Sequence, residues 1–519
     1  MSATGSSNQS KGFLNTIERI GNAMPDITML FMYALVVCWV LSFGLSFIEF
    51  NYIHPVTKEK IRIINMFQPK EIVDFILLMV KNFISFPPLG ITIVATLGIG
   101  IAEASGFVQV AIKKLLSITP KSALTPVVVI VSIISHMASD SAYVILMPVA
   151  ALMFHASGRH PLAGIAAAFA GLAGGFTASF TPSIIDPVMQ SFTEKAARIM
   201  DPSYNVSVLC NYFVSLAGTI GVVAAVWFVT ERIVEPRLRR SMPVDSTMKD
   251  SAAAALQQIT PEENRAFRIA GLTLLLMMAV VFAMLMPVDS ILRAPDGSLT
   301  SPKAPIMQAI VPLIFLFFAI PGLIHGFMVR KYHSSRDVTA AMERVTQSLV
   351  SFIVFSFFGA QFLYSFGHSN LGTLLALSGA DLLRSLAMPS GFTVLGVIIL
   401  TGFLNLIITS ATSKWAILAP VLVPMLMAVG IAPELTQAAF RVSDSAVNVC
   451  TPMFAFYPLI LTYCKHYCPK AGVGTLSSMM LPYTFALLIV LTAALYLFWG
   501  LNIPLGFDSS FTWAPPTPQ

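Results

Sequence analysis

The chain has 519 residues, 56% apolar and 11% charged, with a mean hydropathy of +0.78. A soluble domain carries roughly 25% charged residues. This composition therefore excludes an ordinary soluble enzyme, because most of its apolar faces must meet lipid. The net charge of +6 needs no acidic partner, since cytoplasmic loops of membrane proteins collect Lys and Arg, and nothing points to nucleic acid.

In chain order, residues 1–23 are polar, and 1–26 is expected to be a cytoplasmic N-terminal segment. The first apolar run, Ile27 to Phe47, is too long for a signal-peptide core and lacks a small-x-small cleavage pattern, so it is expected to stay as a span. Runs of about 20 apolar residues can cross a ~30 Å hydrocarbon core as helices. Nine are expected, near 27–48, 86–104, 161–190, 207–231, 266–287, 305–327, 346–367, 433–464 and 474–500. Two further stretches, 122–157 and 389–429, are broken by Ser139-Asp140-Ser141 and by Ser410-Ala411-Thr412-Ser413. Their halves of about 14 to 20 residues suit re-entrant hairpins whose tips are buried in protein. Amphipathic stretches at 70–85, 107–117 and 371–384 are expected at the interface. The membrane halves 27–231 and 266–503 flank a linker, 232–265, in which Thr260-Pro-Glu-Glu reads as a helix start. The segment 504–519 is a tail.

With the N-terminus inside, 19 of the 31 Lys and Arg residues fall on the cytoplasmic side, ten outside and two, Lys414 and Arg441, in the membrane. This bias predicts a cytoplasmic N-terminus and, after nine crossings, a periplasmic C-terminus. The five cysteines are too scattered for a disulfide framework, and Cys464-Lys-His-Tyr-Cys468 offers at most three soft ligands, so they read as packing residues.

A shift of 272 residues aligns 141–167 with 413–439 at eleven identities in 27 positions, against roughly three expected for this composition. Tyr143 falls opposite Trp415, and after a slip of two residues Thr181-Pro182 meets Thr451-Pro452. The chain thus carries two copies of a hairpin followed by a helix interrupted at Thr-Pro. The expected topology inverts one against the other. Inverted repeats with broken helices mark transporters, because the breaks expose backbone dipoles at mid-membrane.

Polar groups within spans are functional candidates because their burial is costly. Asp186 follows the first break; Arg441, Asp444 and Asn448 share one helix face before the second. Arg441 can receive a carboxylate bidentately, and Trp415 offers a flat face to an aromatic ring. The bland alternatives are an Arg441–Asp444 pair that only stabilises the helix, and packing for Trp415. Asp140 and His136 are weaker candidates in the first hairpin. Lys414, a cation at the second tip, could replace a sodium ion electrostatically or face Asp186 or Asp444.

At these residues the chain resembles the AbgT family, the p-aminobenzoyl-glutamate transporters and antimetabolite exporters of bacterial inner membranes. The matching text is Ile-Glu-Arg-Ile-Gly-Asn at 17–22, Lys-Asn-Phe at 81–83 with Pro-Leu-Gly at 88–90, Gly-Arg-His-Pro-Leu-Ala-Gly at 158–164 and Ile-Val-Glu-Pro-Arg-Leu at 233–238. It continues with Ser-Lys-Trp-Ala-Ile-Leu-Ala-Pro at 413–420, Phe-Arg-Val-Ser-Asp-Ser at 440–445 and Gly-Val-Gly-Thr-Leu-Ser-Ser-Met-Met-Leu-Pro-Tyr at 472–483. The resemblance implies an all-α, elevator-like homodimer with nine spans and two opposed hairpins per protomer. It carries substrate or coupling roles onto Asp186, Thr412 with its neighbour Ser413, Trp415, Pro433, Arg441, Asp444 and Pro452. It also places a sodium site on Asn405 with Asp444, to which Asp140 is added as a cation-coupling candidate.

The expected function is secondary active transport of p-aminobenzoyl-glutamate, driven by protons or sodium and using no other cofactor, with sulfonamide export as the alternative. No Walker A sequence is present. A hydrolase is disfavoured because the chain has no His-Glu-x-x-His or Gly-x-Ser-x-Gly. A passive channel is disfavoured because distinct acids and a base sit within one protomer.

Overall fold

The computed structural model describes residues 26–117, 123–136, 141–242 and 259–515. Among them the secondary structure is helical, with two isolated bridges and no strand. Among the described residues, eight helices are long and apolar enough to cross a membrane. Seven correspond to expected unbroken spans: α1 (Ile27–Leu45), α3 (Pro87–Ser105, entered through α2, Pro69–Ile84), α9 (Tyr212–Val229), α11 (Pro261–Leu285), α12 (Ile310–Met328), α14 (Val350–His368) and α20 (Val473–Gly500). The eighth, α17 (Ala411–Ala428), is an arm of the second hairpin.

The remaining expected spans, 161–190 and 433–464, are each two short helices. They are α7 (Pro161–Gly174) with α8 (Ile185–Ala197), and α18 (Pro433–Val447) with α19 (Tyr457–Tyr467), and the gaps contain Thr181-Pro182 and Thr451-Pro452. Proline removes a backbone donor and clashes with the preceding turn, which favours an interruption at each of these two points. The amphipathic stretches form α2, α4 (Phe107–Ser117) and α15 (Leu371–Ser385); a further one, α13 (Ser335–Gln347), lies beyond the sequence reading. At the start of α11, the helix start expected from the sequence, the Thr260 hydroxyl accepts the Glu263 amide and the Glu263 carboxylate accepts the Thr260 amide, which makes a capping box.

Each hairpin is a pair of helices, α5 (Leu124–Ser135) with α6 (Ser141–Ala156), and α16 (Ser390–Asn405) with α17. Their opposition is fixed by the antiparallel helices α9 and α20, which pack together. The start of α9 meets the end of α20, where the Val214 amide donates to the Leu505 carbonyl, and Thr230 beyond its other end bonds Tyr483 near the start of α20. The base of hairpin one lies at that second end: Thr125 bonds Glu231 at 2.8 Å, and Arg159 bonds Glu235 at 2.5 Å. The base of hairpin two lies at the first end, where Tyr496 donates to the Gly391 carbonyl at 2.5 Å. The two hairpins therefore enter from opposite faces.

Outside the repeats, α3 and α12 cross closely. A Cβ at Gly98 would meet the Phe315 carbonyl oxygen at 2.4 Å, and one at Gly322 would meet Ala102 Cα at 2.6 Å, so glycine is what permits this approach. Every residue of α18 is buried, including Arg441, Ser443, Asp444 and Ser445. This polar helix is the centre around which the hairpins and breaks assemble.

Candidate functional site

The pieces converge on a cavity of about 830 Å³. Its wall takes His136 from hairpin one, Phe176 and Ser183 from the first break, Thr409 to Thr412 from the second tip, and Asn448, Phe454 and Phe456 from the second break. Thr92, Thr96 and Gln109 of α3 and α4 close the other side, and Lys331 and Arg344 stand at the end where hairpin one has its base. Tyr143 stacks on Phe456 at 4.6 Å and lies 5.3 Å from Phe454, while His136 sits 4.0 Å from Phe176.

Beside the cavity Arg441 forms an ion pair with Asp186 at 2.7 Å and donates to the Phe176 carbonyl at 2.7 Å. The second Asp186 oxygen accepts the Ser183 amide at 2.8 Å, so the carboxylate caps the entry to α8 while it holds the guanidinium. Arg441 Nε is buried and has no partner among the described residues. The Thr177 hydroxyl donates to the Arg441 carbonyl at 2.5 Å, tying the first break to α18.

One turn further along, Asp444 pairs with Lys414 at 2.5 Å, and both side chains are buried. The Lys414 ammonium also donates to Asn405 Oδ1, and Asn405 Nδ2 donates to the Asp444 carbonyl at 2.9 Å. Arg441 and Asp444 are thus neighbours on one helix with separate partners, not a pair with each other. The two oxygens that the resemblance gives to sodium both face the Lys414 ammonium. With Lys414 in this position they do not fit a sodium ion, because its place is taken by a tethered cation. The repeat-related positions Ile133, Ala142 and Leu172 are apolar, so only the second hairpin carries this charge cluster.

The other expected residues are placed as follows. Thr412 lines the cavity, and Ser413 accepts from Ser410, which caps α17. Trp415 is 0% exposed: its ring stacks on Phe440 at 4.5 Å, and its N–H donates to Thr193 at 2.9 Å. Its face is closed to the cavity in this conformation. Pro433 opens α18 and is buried, and Pro452 sits in the second break, whose Thr451 hydroxyl donates to the Leu406 carbonyl at 2.8 Å. Asp140 lies outside the described residues. The aromatic wall of Tyr143, Phe176, Phe454 and Phe456 escaped the sequence reading, although each lies close to a predicted break or tip.

The model of the AbgT putative transporter family matches residues 12–513. The chain belongs to this family. It is 33% identical to the p-aminobenzoyl-glutamate transport protein of Escherichia coli K12 over 506 residues, 98% of each chain. Its fold matches the YdaH transporter of Alcanivorax borkumensis, described as having an unusual topology, with a TM-score of 0.87 at 36% identity, covering 93% of this chain and 100% of the other. It also matches MtrF of Neisseria gonorrhoeae, described as illuminating a class of antimetabolite efflux pumps, with a TM-score of 0.88 at 36% identity, covering 97% of this chain and 100% of the other. This AbgT-family chain is a membrane transporter and not an enzyme.

Proposed function

We propose that the protein transports p-aminobenzoyl-glutamate and related aromatic amides by alternating access, driven by a proton gradient, since of the two expected coupling ions sodium finds its position filled by Lys414. The observation that carries this reading is the convergence of the second tip, of His136 and Tyr143 from hairpin one and of both breaks on one cavity that is aromatic on one wall and bordered by a buried guanidinium. Its volume of about 830 Å³ lies within the roughly 300–1,000 Å³ typical of small-molecule sites. The aminobenzoyl ring stacks against the Phe176, Phe454 and Phe456 wall. A glutamate carboxylate competes with Asp186 for Arg441, so binding exchanges an internal anion for an external one. The relative's transport of p-aminobenzoyl-glutamate supports the substrate.

Export of sulfonamides is the second reading. An aryl sulfonamide uses the aromatic wall without breaking the Arg441–Asp186 pair, and the likeness to MtrF supports it. In both readings the protein is an elevator-like homodimer in the bacterial inner membrane, with nine crossings and a cytoplasmic N-terminus. The cation bias of the loops supports that orientation.

The test is flux of radiolabelled p-aminobenzoyl-glutamate and of a sulfonamide in proteoliposomes under imposed proton and sodium gradients. Accumulation against a gradient supports the proposal. Equilibration alone would indicate a channel.

A further inference from the structure

A second cavity, of about 380 Å³, lies on the opposite face. It is covered by the loop that carries His54, Thr57 and Glu59, and lined by Phe192 and Lys195 of α8, Thr373 of α15 and Pro420 of α17. The main cavity touches α8 at Ile185 and Val188 and α17 at Ala411 and Thr412. The same two helices therefore run from one cavity to the other. Seven residues separate Val188 from Lys195, about 10 Å at the helical rise. Between the cavities stands the buried plug of Trp415 on Phe440, bonded to Thr193.

The charged groups around this second cavity are committed, with two exceptions. Arg198 is paired with Glu194 at 2.7 Å and donates to the Tyr204 carbonyl and to Asn205. Lys60 is paired with Glu49 at 3.4 Å. His54 Nδ1 accepts the Val56 and Thr57 amides, so its Nε2 carries the proton and donates to the Ile199 carbonyl. Glu59 is exposed at the rim. Lys195, half-buried in the wall, makes no hydrogen bond or ion pair among the described residues. Its ammonium is open to the cavity and free to receive an anion there through a charge-assisted hydrogen bond.

We propose that this cavity is a vestibule for a small carboxylate anion, with Lys195 as the cation that receives it, on the far side of the Trp415 plug from the main cavity. The inference rests on the transport reading for its purpose and on the lone ammonium for its chemistry. A glutamate-bearing substrate meets Lys195 on one side of the plug and Arg441 on the other, so both ends of the path present a cation to the same charged group.

Two experiments test this. In a cysteine-free background, Thr57→Cys, at an exposed position of the cavity lining, is labelled with an anionic and with a cationic methanethiosulfonate reagent. The anionic reagent should react faster, the preference should collapse in Lys195→Gln, and benzoate should slow labelling only while Lys195 is present. In oriented proteoliposomes, Lys195→Gln should raise the apparent KM for p-aminobenzoyl-glutamate about 10-fold from the vestibule side, with Lys195→Arg near wild type and the other side unchanged. Lys195→Met should fold at least as stably as wild type, which separates a lost ligand group from a damaged core. Equal KM changes on both sides, or labelling indifferent to reagent charge and to benzoate, would overturn the vestibule. Failure of the wild type to move the compound would remove the transport reading, and the labelling result would then decide the vestibule alone.

Discussion

Lys414 and Asp444 meet at 2.5 Å with side chains 1% and 3% exposed, and the same ammonium is bound by Asn405. A buried carboxylate is thereby neutralised by a cation that belongs to the chain and not to the solution. Wild-type transport is expected to depend little on sodium. Lys414→Gln leaves Asp444 uncompensated, and breaking a buried pair costs about 3–5 kcal/mol. The variant should therefore recruit a mobile cation and gain sodium dependence, seen both in flux and as sodium-dependent thermal stabilisation of the purified protein. An ion profile identical to wild type in both measurements would remove this role.

Asp444 itself is expected to govern coupling. Asp444→Asn should retain measurable substrate binding while losing gradient-driven accumulation, because the carboxylate proposed to take the coupling proton is gone. Binding by calorimetry and accumulation in proteoliposomes separate the two. Loss of both together, with loss of the folded protein, would return the pair to a structural role.

Arg441 and Asp186 form the second pair, and each variant has its own signature. Arg441→Ala should lose about 1.5–3 kcal/mol of charge-assisted binding for glutamate-bearing substrates, with little loss for a sulfonamide. Asp186→Asn should lower the melting temperature, because Arg441 is left buried without its anion. p-Aminobenzoyl-glutamate should restore more of that loss than it adds to wild type. Equal ligand-induced shifts in wild type and variant would show that no exchange takes place.

The aromatic wall predicts a different selectivity. Phe456→Ala removes a ring that stacks on Tyr143, and should weaken p-aminobenzoyl-glutamate and sulfonamides alike by about 0.5–1.5 kcal/mol. Free glutamate should be unaffected. Competition binding with the three compounds checks this.

Orientation is open to direct labelling. Single cysteines at Ser246 and Ser509 should react from the cytoplasm and the periplasm respectively. Reaction of both from one side would overturn the nine-crossing reading.

The helical architecture was legible in the sequence because it rests on local properties. An apolar run of a given length either matches the hydrocarbon thickness or does not. A proline inside such a run removes a backbone donor locally, and the two interruptions at Thr181-Pro182 and Thr451-Pro452 fall where the sequence placed them. The repeat made the hairpins visible for the same reason, since identity at a fixed shift needs no knowledge of contacts. Partner choice was legible only as alternatives: Asp444 was one of two acids open to Lys414, and nothing chose between them. Arg441 and Asp186 lie 255 residues apart, and the helix-face spacing that set Arg441 beside Asp444 gave no sign that each had a different partner. Nor could spacing show that the Trp415 face would be taken by Phe440, or that an aromatic wall would gather from Tyr143, Phe454 and Phe456. Those outcomes depend on how four separated segments pack around α18. In a low-dielectric interior each buried charge is held by whichever opposite group the packing brings within reach, and only the tertiary structure decides which group that is.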